Sequence, residues 1–178
     1  MSRYEVRYAA IGGQGIITAA TLLVAIAVEK ENKHAVESPT ITAAVRGGAT
    51  KADVIISEDR VIYPQAMAID FFVCTHRKPY AMYKDKIKDN AIVVIDSNLI
   101  FDKGDIKNWA IHEIPIIQET KEKLGRLVLT SVVTLSITQA LTGIIEYANM
   151  VSYVREWAPK GFLDLNMQAI DLGQHLAK

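Results

Sequence analysis

The chain holds one cysteine, Cys74, in 178 residues. That excludes an internal disulfide, and it excludes an iron–sulfur cluster or thiolate zinc site built by this chain alone. Net charge is also missing, because twenty basic and twenty acidic residues cancel. A nucleic-acid binder carries a clear positive excess, so that class is set aside, and low charge suits a subunit of an assembly. Uninterrupted apolar runs are short. The longest apolar stretch, Leu127–Ile145, is broken by Thr130, Ser131, Thr134, Ser136, Thr138 and Gln139, which reads as a buried helix and not a membrane span. Met1–Arg7 is charged and strand-like, unlike a secretory leader, so a reducing, cytoplasmic setting is expected. The four histidines, His34, His76, His112 and His175, are scattered, and no metal ligand is assigned. No Gly-x-Ser-x-Gly, paired carboxylates or Cys–His pair points to a nucleophile, and no catalytic residue is assigned. Cys74 itself, within "DFFVCTH", reads as a buried strand thiol.

What is present is a hydrophobic half of the sequence, enough for one buried core and a single domain over residues 1–178. Tyr4–Ile11 reads as a first strand, followed by a helix from about Gln14 to Glu31. His34–Ser38 reads as a short strand ended by Pro39, and Thr40–Thr50 as a loop. Lys51–Ser57 and Val61–Tyr63 flank the polar "SEDR" and predict a β-hairpin. Asp70–Thr75, Ala91–Asp96 and Trp109–Ile114 are further strands, with a polar helix near Pro79–Lys88 between the first two. Asp70 and Asp96, at strand ends, read as caps. The last third is helical, over part of Ile117–Lys123 and then Leu127–Ile145, Met150–Trp157 and Leu163–Leu176, with Pro159 and Gly161 between the final pair. Alternating elements of this kind predict a three-layer α/β/α domain around a mixed, mostly parallel sheet.

The strongest chemical signal is Gly12-Gly13-Gln14-Gly15, where a strand meets a helix. Glycine turns the backbone sharply and leaves no Cβ between a bound phosphate and the amides of the first helical turn. Gln14 adds a side-chain donor. The dinucleotide pattern G-x-G-x-x-G/A is not met, because Ile16, Ile17 and Thr18 follow Gly15, and no Lys-Ser or Lys-Thr closes a Walker loop. Phosphate binding and a tight turn that binds nothing both stay open. Arg46-Gly47-Gly48 is the second piece, a guanidinium in a flexible loop suited to an anion or a partner, or simply solvated. Lys51 shares the anion or marks a strand edge. Thr75-His76-Arg77-Lys78 follows a strand end, where ligands gather in α/β sheets, but reads as well as a helix start.

The segments "IGGQGIITAATLL", "RGGATKADVIIS", "VIYPQ", "DFFVCT", "AIVVIDSNLI" and "FLDLNMQAIDLGQ" occur in that order. Their order and spacing resemble the gamma subunit of the 2-oxoacid:ferredoxin oxidoreductases, over nearly the whole chain. That group includes the pyruvate, 2-oxoglutarate, branched-chain, indolepyruvate and phenylglyoxylate enzymes. The resemblance implies a complex that converts a 2-oxoacid and coenzyme A to an acyl-CoA and CO2, passing electrons to ferredoxin or another acceptor. Thiamine diphosphate and magnesium would sit in alpha and beta subunits, and iron–sulfur clusters in partner chains including a ferredoxin-like one. The gamma part would hold none of these cofactors. Carried onto this sequence, Gly12, Gly13, Gln14, Gly15 and Thr18 match one loop and helix start, and Arg46, Gly47 and Gly48 match a second loop. Both would help to hold coenzyme A, a substrate shared with the complex. A purely structural assembly subunit and a stand-alone nucleotide-binding protein are the competing readings.

The chain departs from the family in two places. Ile41–Val45 replaces a Tyr-Gly-Pro-Glu-like stretch before Arg-Gly-Gly, and Ser131 and Ser136 stand where an Asn and a Gly are usual. The first departure leaves the oxoacid open between 2-oxoglutarate and an aromatic acid such as phenylglyoxylate.

Overall fold

A computed structural model describes residues 3–41 and 48–178. Six strands form one sheet in the order β2-β3-β1-β4-β5-β6. They are β1 (Tyr4–Ile11), β2 (His34–Ile41), β3 (Ala49–Ser57), β4 (Ile69–Cys74), β5 (Ile87–Ile95) and β6 (Ala110–Glu113). β1, β4, β5 and β6 run parallel, whereas β3 is antiparallel to both β1 and β2. The mixed, mostly parallel sheet is therefore as the sequence predicts.

The source of the antiparallel pairs differs from the prediction. β2 runs through Pro39 to Ile41 and pairs with β3, so the hairpin is β2–β3. Pro39 is tolerated because β2 is an edge strand. Val61–Tyr63 forms no strand. Ile62 there is 90% exposed, and the Arg3 guanidinium pins the segment by donating to the carbonyls of Tyr63 and Gln65. A strand at that place would leave Ile62 with nothing to pack on. β5 also begins four residues earlier than its apolar run, with Asn90 in the left-handed region (φ 64°) and a register shift against β4.

Helices cover both faces. On one lie α1 (Ile16–Glu29), α4 (Thr130–Thr142) and α6 (Leu163–Leu176), with α3 (Ile116–Leu124) and α5 (Tyr147–Trp157) beside them. Their apolar sides meet Val6, Tyr8, Ala10, Val54, Phe71 and Val73 in the larger core. The opposite face carries the short α2 (Arg77–Tyr83), where Tyr80 packs with Phe72, Cys74 and Val93. α1 is apolar nearly all round because it lies between the sheet and α4.

The strand alternation turns Arg7 and Asp53 onto the α2 face, where both are buried. Arg7 donates to both Asp53 oxygens, at 2.6 and 2.9 Å, and to the carbonyls of Tyr83 and Asp85. That network ties the end of α2 to the sheet.

Candidate functional site

The C-terminal ends of the parallel strands lie along one edge of the sheet, and the start of β3 lies at the same edge because it runs the other way. β1 and β4 are neighbours there, with β3 and β2 on one side and β5 and β6 on the other. This is the topological switch point, where open α/β sheets take up ligands. Gly12–Gly15 occupies it.

The turn is held by hydrogen bonds, among them one from the Gln14 amide to the Ile11 carbonyl at 3.3 Å. Gly12 N–H donates to the Gly48 carbonyl at 3.1 Å, continuing the β1–β3 ladder beyond Ile11 and Ala49. Gln14 Oε1 accepts from Thr75 Oγ1 at 2.7 Å and from the Ile11 amide at 3.2 Å. Gly13 and Gly15 are both left-handed, with φ of 95° and 76°, which a side chain would oppose. Gly15 is also crowded, since a Cβ there would lie 3.2 Å from both Ser131 Cβ and Ser131 N.

Gly15 opens α1 with no side-chain cap, and the first turn of α1 holds no acidic residue. Ala19 N–H is the first amide bonded back into the helix, to the Gly15 carbonyl. Among the described residues no acceptor meets the amides of Gly13, Gly15, Ile16, Ile17 or Thr18. They face a cleft of about 320 Å³ lined by the glycine turn, Ile16, Ile17, Thr18 and Thr50. A helix N-terminus with free amides and no local carboxylate presents partial positive charge, suited to phosphate or carboxylate oxygens.

The structure thus brings together Gly12, Gly13, Gln14, Gly15, Thr18 and Gly48. Arg46 and Gly47 lie outside the described residues. Gln14 uses its carbonyl oxygen internally, leaving its amide nitrogen as the atom able to donate outward. Lys51 is drawn instead to Asp53, at 2.5 Å, within the Arg7 network. The Thr21 hydroxyl, one turn beyond Ile17, lies within hydrogen-bond reach of the Ile17 carbonyl and of Glu37 Oε2, to either of which its one hydrogen can be given. Desolvation raises the Glu37 carboxyl above its usual range. Glu37 pairs with Val54 in mid-strand, not at a strand end where an acid would meet a ribose.

Cys74 is buried in β4, as expected, and burial pushes its thiol up to about 12, which removes it as a nucleophile. Asp96 is a cap, in agreement with the sequence pattern. Its two oxygens accept from the amides of Asn98 and Ile117, the latter in the first turn of α3. Among the described residues no group of three or more His, Cys, Asp or Glu could hold a metal ion. No helix among them is long and apolar enough to cross a membrane.

The sequence pattern does not reveal Thr75 as the anchor of Gln14 or Ser131 as the wall behind Gly15. The first is signalled only by its place at a strand end beside the turn. The second has no local signal, since α4 reaches the turn only through helix packing. Equally hidden is a groove of about 330 Å³ beside the turn, lined by Thr18, Val128, Ser131, Trp157, Phe162 and Asn166 among others.

Comparison with known proteins gives a consistent picture. Residues 5–176 match the family described as pyruvate ferredoxin/flavodoxin oxidoreductase. The chain is 32% identical over 177 residues to the 2-oxoglutarate synthase subunit KorC of Methanocaldococcus jannaschii, covering 99% of this chain and 95% of that protein. It is 25% identical to the ketoisovalerate oxidoreductase subunit VorA of Methanothermobacter thermautotrophicus, covering 98% of this chain but 36% of that longer one. Its fold superposes with a TM-score of 0.90 on the gamma subunit of a keto/oxoacid ferredoxin oxidoreductase from Geobacter sulfurreducens, at 29% identity and over 99% and 97% of the two chains.

Proposed function

Because the chain belongs to the pyruvate ferredoxin/flavodoxin oxidoreductase family, we propose that it is the gamma subunit of a thiamine-diphosphate-dependent, coenzyme A-acylating 2-oxoacid oxidoreductase. Alpha and beta subunits and a ferredoxin-like chain would carry thiamine diphosphate, magnesium and the iron–sulfur clusters. This chain would hold phosphates of coenzyme A at the edge of the shared active site. The observation that carries the reading is the uncapped start of α1, whose amides at Gly13 and Gly15–Thr18 have no acceptor among the described residues and open into a cleft without carboxylates. Gly12, bonded to Gly48, ties the glycine turn to the start of β3, and Arg46 precedes Gly48 by two residues in the sequence.

In this role the chain's residues bind and orient; they move no proton. The turn amides and the Gln14 amide nitrogen would donate to phosphate oxygens, and Arg46 would supply the full charge that amides lack. Bond making at the 2-oxoacid belongs to the other subunits.

A purely structural role is the second reading, favoured by the tight contact of Gly15 with Ser131 and by the inward use of Gln14 Oε1. Steady-state kinetics on the assembled complex separates the two. Arg46→Ala raises the KM for coenzyme A about tenfold or more, the scale of a charge-assisted phosphate contact, and leaves the KM for the oxoacid unchanged. An unchanged coenzyme A constant in a normally assembled complex removes Arg46 from the phosphate site and leaves assembly as the reading.

A further inference from the structure

The groove beside the glycine turn has walls unlike those of the turn. Val128, Trp157, Pro159 and Phe162 make it apolar and aromatic, and Thr18 lines both it and the phosphate cleft. Ser131 lines this groove and Gly15 lines the cleft, and a Cβ on Gly15 would lie 3.2 Å from Ser131 Cβ. Trp157 is 43% exposed and Val128 is 66% exposed, an arrangement that leaves aromatic surface in water without a use in the core.

Two polar groups border this surface. Asn166 is 4% exposed and lines the groove. Its Nδ2 donates to the Phe162 carbonyl at 2.8 Å, while among the described residues no donor reaches its Oδ1. That free oxygen is not among the fully buried polar atoms, so it is open to accept an N–H from a ligand in the groove. The Arg126 guanidinium lies 5.0 Å from the centre of the Phe162 ring. That sets an exposed cation beside the ring.

We propose that this groove seats the purine base of the nucleotide whose phosphates occupy the glycine turn. A flat ring would stack on Trp157 or Phe162 and give an amino hydrogen to Asn166 Oδ1, while Arg126 would face a phosphate on the ribose. The proposal rests on the reading of the turn as a phosphate site, from which its failure can be told apart.

Equilibrium dialysis of the assembled complex with adenosine 3′,5′-bisphosphate and with inorganic pyrophosphate makes the distinction. Trp157→Leu and Phe162→Leu each weaken binding of the bisphosphate about tenfold, as expected for one aromatic stacking partner. They leave pyrophosphate unchanged, and Trp157→Phe retains most of the bisphosphate affinity. Equal binding of the bisphosphate to wild type and both variants overturns the purine seat and leaves the phosphate site standing. So does an equal weakening of both probes, or loss of a partner subunit from the variants at unchanged affinity, which makes the groove a protein interface. Bisphosphate binding that depends on the groove, with no pyrophosphate binding at all, keeps the purine seat and overturns the turn reading. Failure of the wild type to bind either probe overturns both.

Discussion

Gly15→Ala tests the physical account of the turn, because two costs fall on one small substitution. The residue keeps φ at 76°, and an L side chain in that region costs about 1 kcal/mol. The new Cβ would also lie 3.2 Å from Ser131 Cβ and 3.2 Å from Ser131 N, closer than ordinary van der Waals contact. Ser131 stands in the first turn of α4, buried against its neighbours, so its backbone cannot swing aside. Overpacking of that kind costs about 1–3 kcal/mol, giving about 2–4 kcal/mol in all. Gly13→Ala is the internal control. Its φ of 95° imposes the same kind of strain, but a Cβ there meets no atom within 4 Å, so its cost is about 1 kcal/mol. In urea unfolding, with a slope of about 2 kcal/mol per molar, the midpoint falls by about 1–2 M for Gly15→Ala and about 0.5 M for Gly13→Ala. Ser131→Gly removes one of the two contacts, so combined with Gly15→Ala it should show a favourable coupling of about 1 kcal/mol. Equal losses for the two alanine variants, with no coupling to Ser131, would refute the reading of Ser131 as the wall behind Gly15.

Three further outcomes follow from the structure. Arg7→Met leaves the buried Asp53 with only Lys51 as a charged partner and lowers unfolding stability by about 3 kcal/mol; a loss below about 1 kcal/mol would mean that Lys51 suffices. Gly173→Ala places a Cβ 2.6 Å from the Val133 carbonyl and 2.5 Å from Ser136 Cβ, where α4 and α6 cross. The gain in helix propensity, about 1 kcal/mol, is outweighed, and the thermal midpoint falls where an exposed Gly→Ala would raise it. The Cys74 thiol, held up to about 12 by burial, stays protonated in the folded chain while an unfolded thiol ionises near pH 8.5. Iodoacetamide at about pH 9 therefore labels it only on unfolding. Its contribution to stability is full below the unfolded value and is lost as pH rises from there toward 12; rapid labelling of the native chain would contradict its burial.

Local chemistry determined much of this protein. The glycine turn is legible in the sequence because φ above zero and a missing Cβ are properties of the residue type, and Gly13 and Gly15 use both. The helical reading of Leu163–Leu176, set off by Pro159 and Gly161, coincides with α6. The buried strands β4 and β5 announce themselves as short β-branched and aromatic runs. A single thiol is too few to ligate an iron–sulfur cluster, and composition alone states that.

Pairing and packing between distant segments were decided only in three dimensions. Pro39 looks like a strand stop until β2 is placed at the sheet edge, where a missing N–H costs no ladder bond. Val61–Tyr63 looks like a strand, yet the Arg3 guanidinium holds it as an exposed segment. Ser131 and Ser136 are bare departures from a pattern along the chain, and each lies against a glycine in space, Gly15 and Gly173. The groove of Thr18, Ser131, Trp157, Phe162 and Asn166 gathers residues from α1, α4, α5 and α6 and from the connections between them. No periodicity along the chain encodes such a meeting. Backbone torsions and burial patterns are properties of neighbouring residues, so the sequence displays them; the contacts that complete a site are properties of the tertiary structure.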